Sequence, residues 1–327
     1  MRAIVMHTAG TPAVLRLEEV PRPQAGPGQV LVRTEAVGVS YHETVMRAGV
    51  FPMPMPLPAV FGFEAAGTVL EVGAGVDAGL AGRRVLVMPT GPTSFSTGTY
   101  AEYVAAPAEA LAPIPETVSA HDALAVGVQG AVALALVRDA RLTGRETALI
   151  EVAGTGIGAY LTQLVREHGV ARIVATAGSA AKRERAEALG ADVVLDHTDP
   201  DWPGLVPAAL DGAELDLVFE SLGGASAGRL LDALAPGTGR ILLYGLLNGE
   251  PAITPMQLLS RGLTLIGCGG LNAFAQRVNQ ARAGVLDLVA AGRLRPQIDA
   301  VLPLAEAARA HERIESRAAL GKLILVP

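Results

Sequence analysis

Two rhythms of apolar and polar residues divide the chain. Over the first 120 residues, short apolar runs such as Val30-Leu31-Val32, Thr68-Val69-Leu70 and Val85-Leu86-Val87 lie between Pro- and Gly-rich turns. Such spacing predicts a β-rich, barrel-like domain. From about Ser119 the rhythm changes, and apolar strands over 147–152, 172–176, 193–195, 215–219, 241–244 and 263–266 alternate with helical segments. That alternation predicts right-handed crossovers and an α/β fold, a doubly wound parallel sheet with helices on both faces. A helix over 273–291 and strands at Val301-Leu302-Pro303 and 322–326 complete the chain and return to the first domain. The expected division is therefore 1–120 with 268–327, interrupted by 121–267.

Chemistry enters at the first strand of the second region, TALIEVAGTGIG (147–158). Leu149, Ile150 and Val152 read as a buried strand, and Ile157, Leu161, Leu164 and Val165 then fall on one helical face before Gly169. Gly154-x-Gly156-x-x-Ala159 fits the GxGxxA form, with Gly158 one place early for a third glycine. Such a turn lets backbone approach a pyrophosphate, while the helix start offers unpaired N–H groups and the positive end of its dipole. Gly154, Thr155, Gly156, Ile157 and Gly158 are thus expected around the pyrophosphate.

At the end of the next strand an acidic residue would grip a ribose 2′-hydroxyl. The chain has Gly178-Ser179 instead, followed by Lys182 and Arg183. Small and basic residues leave room and charge for a 2′-phosphate, which predicts NADPH as the cofactor. Lys182 and Arg183 stand in a helical first turn, where positive charge opposes the helix dipole unless an anion is bound; solvated surface charge is the plainer reading. Ser179 serves equally as an ordinary N-cap. Ser221, Leu222 and Gly223 after the fourth strand, and Gly245 and Asn248 after the fifth, lie at the edge where open α/β sheets bind ligands.

Composition narrows the partners. With 327 residues, half of them hydrophobic, the chain can bury two cores. Its net charge of −6, with basic residues scattered, argues against nucleic acid. Cys268 is the only cysteine, so neither an intrachain disulfide nor a multi-cysteine zinc site can form, and it reads as a small buried strand-end residue. The apolar stretch 123–137 is broken by Gly127, Gln129 and Gly130 and is too short to span a bilayer. The start does not read as a signal peptide, so a cytoplasmic location is expected.

Several segments in order carry a family likeness: RAGVFPMPMPLPAVFGFEAAGTVLEVGAGV (47–76), GTYAEYV (98–104), VAGTGIGAYLTQLV, AGSAAKRERAEALGADVVLDH (177–197), DLVFESLGG (216–224) and the tail AHERIESRAALGKLILVP. With them the chain resembles the zinc-independent quinone oxidoreductase branch of the medium-chain dehydrogenase/reductase superfamily. The resemblance implies a GroES-like catalytic domain split by a Rossmann domain, a cleft between the two, NADPH as hydride donor and a homodimer. Zinc-dependent relatives in the superfamily carry a histidine before the glutamate of the segment that reads Gly62-Phe63-Glu64 here, and a cysteine-rich lobe. This chain has neither, which implies chemistry without a metal. His197, where relatives often carry tyrosine, becomes a further candidate contact to the 2′-phosphate. Ser40 and Val132 stand where quinone reductases usually carry Asn and Thr.

Without a Lewis acid, the easier acceptor is a quinone or enone, whose conjugation spreads the charge that hydride addition creates. Tyr41 is the candidate for lining the substrate cleft and donating a hydrogen bond, its plainer reading being a packed aromatic. His42 is a candidate proton shuttle or, more simply, a polar packing residue. Glu64 and Tyr100 read as structural. The competing readings are an enoyl reductase on an acyl or polyketide intermediate and a low-turnover NADPH-binding protein.

Overall fold

The computed structural model describes residues 1–51, 55–88, 98–269 and 273–327, so most of the loop 90–99, one of those that shape the acceptor cleft in the resemblance, lies outside the described residues. Contacts divide the chain into one unit of Met1–Val128 with Arg282–Pro327 and another of Gln129–Ala281.

The first unit opens with β1 (Arg2–Met6), β2 (Leu15–Glu19) and β3 (Gln29–Val39), then α1 (Tyr41–Arg47), β4 (Ala59–Val60) and β5 (Glu64–Val72). It continues through β6 (Arg84–Val87), β7 (Tyr103–Pro107), β8 (Leu111–Pro113) and α2 (Ala120–Gly127). β3 is its spine: antiparallel to both β5 and β7, it is buried along nearly its whole length, which explains its run of Val, Leu and Ala. Ile4, Val30, Val32, Phe61, Val85 and Tyr100 meet in the core. The composition break at 120 precedes the structural one, because α2 packs its Ala- and Leu-rich surface on β3 and β5.

The second unit begins with α3 (Gln129–Ala140), β9 (Thr147–Ile150), α4 (Gly156–Glu167), β10 (Arg172–Ala177) and α5 (Ala180–Ala188). β11 (Val193–Asp196), α6 (Trp202–Leu210), β12 (Leu217–Glu220), α7 (Gly224–Leu230) and β13 (Arg240–Leu243) follow. α8 (Pro255–Arg261) and β14 (Thr264–Gly267) end the sheet, and the unit boundary falls inside α9 (Ala275–Ala290). The strands run parallel in the order β11-β10-β9-β12-β13-β14. This is the doubly wound order, and its direction reverses between β9 and β12, where ligands bind such sheets. β9 and β12 are buried throughout, as strands covered on both faces must be. The chain then returns to the first unit as β15 (Ile298–Pro303), α10 (Ala307–Glu315) and β16 (Lys322–Val326), with β16 antiparallel to β3.

One strand is shorter than its pattern predicts. β9 stops at Ile150, and Val152 adopts a left-handed backbone with φ 54°. The chain turns here towards α4, and the Val152 N–H donates to Thr176 Oγ1 (3.2 Å) instead of extending the ladder.

Candidate active site

The glycines after β9 each answer a different steric demand. A Cβ on Gly154 would stand 2.3 Å from the carbonyl oxygen of Lys182, so the glycine turn lies directly against the first turn of α5. Gly156 has φ +59°, and a Cβ on Gly158 would stand 2.4 Å from the carbonyl of Val152. The close helix–strand approach that the GxGxxA reading assigns to Ala159 is therefore made at Gly158. Thr155 occupies the N-cap of α4, yet its side chain accepts no bond from the helix. The turn thus has backbone that no Cβ shields and a helix start without a side-chain cap, and both features fit a pyrophosphate. Ile157 is partly exposed here, whereas Leu161, Leu164 and Val165 are buried.

Ser179 caps α5, accepting from the Lys182 N–H (3.4 Å), so its N-cap reading holds in the structure. Arg183 Nη1 donates to Asp196 Oδ2 at 2.5 Å, an ion pair that ties α5 to the end of β11. His197 Nδ1 lies 3.0 Å from Thr176 Oγ1. A Cβ on Gly178 would come within 2.7 Å of His197 Nε2, so the glycine makes room for the imidazole. Gly154, Gly178, Ser179, Lys182, Arg183 and His197 therefore gather around one corner of the sheet.

After β12 the turn is held from within. Ser221 and Leu222 N–H groups donate to Glu151 Oε2 (2.7 and 2.8 Å), and the Gly223 N–H donates to Glu220 Oε1 (2.6 Å). The carbonyls of Ser221 and Leu222 accept from Leu247 and Asn248 (3.1 and 2.6 Å), joining this turn to the one after β13. Gly245 makes that approach possible, since its Cβ would stand 2.8 Å from the Ser221 oxygen. Glu151 and Glu220 were missed by sequence reasoning. The signal was a carboxylate inside an apolar run, in TALIEV and LVFES.

In the first unit, Ser40 caps α1 in a capping box with Glu43, whose Oε2 accepts the Ser40 N–H (2.7 Å). Tyr41 is 59% exposed, which sets aside the packed-aromatic reading. His42 meets the Phe63 ring edge-on at 4.6 Å, and among the described residues its Nε2 has no hydrogen-bond partner. Burial, aided by Lys322, lowers its pKa to about 4. At neutral pH the ring is therefore neutral and does not exchange protons as a cation would. Below it lies a cluster that sequence reasoning also missed: Lys322 Nζ bonds Ser40 Oγ (2.7 Å) and Glu64 Oε1, and Ser40 Oγ donates to Glu64 (3.1 Å). Burial raises the Glu43 pKa to about 8, Glu64 adding to the rise and Lys322 opposing it. Tyr100, fully buried, places its hydroxyl 3.2 Å from His311 Nε2. Cys268 is buried just past β14. Among the described residues, no three His, Cys, Asp or Glu side chains group as metal ligands, and no single helix is long and apolar enough to cross a membrane.

The family described as alcohol dehydrogenase GroES-like domain matches residues 26–116, and that described as zinc-binding dehydrogenase matches residues 189–325. Quinone oxidoreductase of Rattus norvegicus is 31% identical, over 100% of this chain and 98% of that protein. A 2-haloacrylate reductase of Burkholderia is 31% identical, over 99% of this chain and 98% of its own. Among solved structures, Escherichia coli quinone oxidoreductase complexed with NADPH is similar with a TM-score of 0.86 at 27% identity, covering 100% of both chains.

Proposed function

The chain belongs to the quinone oxidoreductase branch of the medium-chain dehydrogenase/reductase superfamily, and from that premise we propose a metal-independent reductase that uses NADPH to reduce a quinone or another α,β-unsaturated carbonyl. One observation carries the cofactor reading: Gly154 backs onto Lys182, so the glycine turn and the basic start of α5 form one surface, with no carboxylate at the end of β10. Gly154, Thr155, Gly156, Ile157 and Gly158 would receive the pyrophosphate, and Ser179, Lys182, Arg183 and His197 the 2′-phosphate. Gly178 leaves space beside them. Ser221, Leu222, Gly223, Gly245 and Asn248 would border the remainder. When bound, NADPH supplies the hydride.

The first unit then needs only to hold a flat, conjugated acceptor and donate a hydrogen bond to its oxygen. Tyr41, with its side chain exposed at the start of α1, is the proposed donor. His42, neutral over most of the pH range, packs edge-on against Phe63 and is not assigned as an acid. A relative named for a haloacrylate supports an acceptor defined by conjugation rather than by a quinone ring.

The test mixes purified protein with NADPH or NADH and a panel of quinones, 2-alkenals and crotonyl thioesters. NADPH is expected to bind more tightly and to be oxidised by quinones or alkenals. Binding without turnover of any acceptor, or tighter binding of NADH, would overturn the reading.

The same reading makes the protein a homodimer through β14, the edge strand of the parallel sheet, whose Leu265 is exposed, as are Met256 and Leu259 of α8. Leu265→Lys should then sediment as a monomer.

A further inference from the structure

β9 and β12 are neighbours in the sheet, with Ile150 beside Phe219, so the next residues, Glu151 and Glu220, emerge side by side where the strand order reverses. Both are buried, at 0% and 1% exposure. One oxygen of each already takes amides of the Ser221–Gly223 turn. Among the described residues, the other two oxygens, Glu151 Oε1 and Glu220 Oε2, have no N–H or O–H donor, and the two carboxyls interact with each other. No cation figures among the groups acting most strongly on either; those groups are each other and the turn amides. Partly buried Tyr244, just past β13, faces the pair from the third side, its hydroxyl pKa raised by burial.

We propose that Glu151 and Glu220 share a single proton, and that this shared proton is what locks the Ser221–Gly223 turn and makes cofactor affinity fall as pH rises. Two bare carboxylates this close and this dry repel each other, whereas one proton between them gives both orphaned oxygens a partner. Burial holds both carboxyls above the ordinary carboxylate range, and the charge of Glu220 adds to the rise at Glu151. Loss of the proton forces one carboxylate away and frees the amides it holds. The disturbance reaches the next turn, because Ser221 and Leu222 carry the bonds to Leu247 and Asn248. A Cβ on Gly223 would stand 2.0 Å from the Gly249 carbonyl, so the two turns cannot move independently. Glu151 and Glu220 are on this account positioning residues: they touch the turn, and the turn borders the cofactor. This last step rests on the NADPH reading above, while the shared proton does not.

Two measurements separate them. Infrared difference spectra between wild type and Glu220→Gln, without cofactor, should show a protonated carboxyl band at neutral pH lost on substitution, the contribution of Glu43 being common to both proteins and cancelling. NADPH titrations from about pH 6 to about pH 9 should show wild-type Kd rising by about tenfold or more across the alkaline end, the scale of one displaced proton. In Glu220→Gln the amide N–H replaces the proton toward Glu151 while its carbonyl still accepts from Gly223. That variant should bind within a factor of about three of wild type near neutrality and lose the alkaline weakening. Glu151→Gln should behave likewise. Absence of the band overturns the shared proton. A band accompanied by the same alkaline weakening in wild type and Glu220→Gln, or by none in wild type, overturns its role in binding. A band with no NADPH affinity at any pH overturns the cofactor reading instead.

Discussion

In the first unit Glu64 is fully buried against the ammonium of Lys322 and the hydroxyl of Ser40, whereas in the second Glu151 and Glu220 are just as deeply buried against each other. The first arrangement joins β5 to β16, elements from the two ends of the chain, and its charges cancel where they sit. The second joins adjacent strands, and its charge is removed by a proton drawn from solution. A buried ion pair carries its compensating charge within itself, while a shared proton makes its surroundings respond to pH. The first device ties together the two ends of the chain, and the second sits beneath the turns proposed to border the cofactor.

The comparison breaks most visibly if Lys322 is removed. Lys322→Met should cost about 3–5 kcal/mol of unfolding free energy, because Glu64 is left as an uncompensated buried charge. Lys322→Met combined with Glu64→Gln should recover much of that loss in urea titrations. Glu220→Gln, which replaces a proton by an amide, should cost no more than about 1.5 kcal/mol. Comparable losses for Lys322→Met and Glu220→Gln would erase the distinction.

Stability against pH sharpens it further. Glu43, raised to about 8, and the Glu151–Glu220 pair bind more protons folded than unfolded above the ordinary carboxylate range. Their contribution is present in full below that range and is lost as pH rises through the folded values. His42 and His311, lowered by burial to about 4 and about 3, act in the opposite sense, and their contribution is lost as pH falls from 6.5 through those values. Above pH 6.5 the histidines no longer titrate, so the melting temperature should fall steadily towards about pH 8. In Glu43→Gln that decline should shrink but not vanish. A flat profile between those values would contradict the protonated state of all three carboxyls.

The alternation of apolar runs with helical segments was enough to read the doubly wound sheet, because each strand is short and continuous and the central ones, β9 and β12, are covered on both faces. The glycine turn was legible for a similarly local reason: Gly156 needs a positive φ, Gly158 meets Val152 a few residues back, and Gly154 meets the next helix at Lys182. Glu151 and Glu220 are carboxylates inside apolar runs, a signal that went unread, and nothing local says that the first and fourth strands of this region lie side by side. Their pairing exists only in the strand order. Lys322 heads an apolar strand, and its partners Ser40 and Glu64 lie more than 250 residues earlier in the chain. Val152 continues an apolar run and is a turn residue all the same, since Thr176 takes its N–H. Ordinary propensity cannot anticipate a β-branched residue with φ 54°.

Exposed charge supplies the third term of the comparison, because it acts on a ligand more than on the fold. Lys182, partly exposed in the first turn of α5, should weaken NADPH binding by about 1–3 kcal/mol when replaced by Ala, the scale of a charge-assisted contact. NADH binding should scarcely change, and the unfolding free energy should move by less than about 0.5 kcal/mol. Calorimetric titration with both nucleotides checks this. Equal losses for the two would refute the 2′-phosphate assignment.

The smallest effect concerns Asp196, which stands between these regimes. Its carboxyl accepts from the Thr198 hydroxyl and N–H (2.7 and 2.9 Å) and from Arg183 (2.5 Å), and these bonds, Thr198 first, hold it below the usual carboxylate range. With 30% and 39% of the two side chains exposed, the Arg183–Asp196 pair is worth at most about 1 kcal/mol to the fold. Its larger consequence is competition, since a 2′-phosphate and Asp196 would both claim the same guanidinium. Asp196→Asn should therefore leave stability within about 1 kcal/mol of wild type. It should also raise the NADPH-to-NADH affinity ratio by about threefold at low salt, with the gain shrinking as salt is added. An unchanged ratio would mean that Arg183 is committed to β11 and that Lys182 faces the phosphate without it.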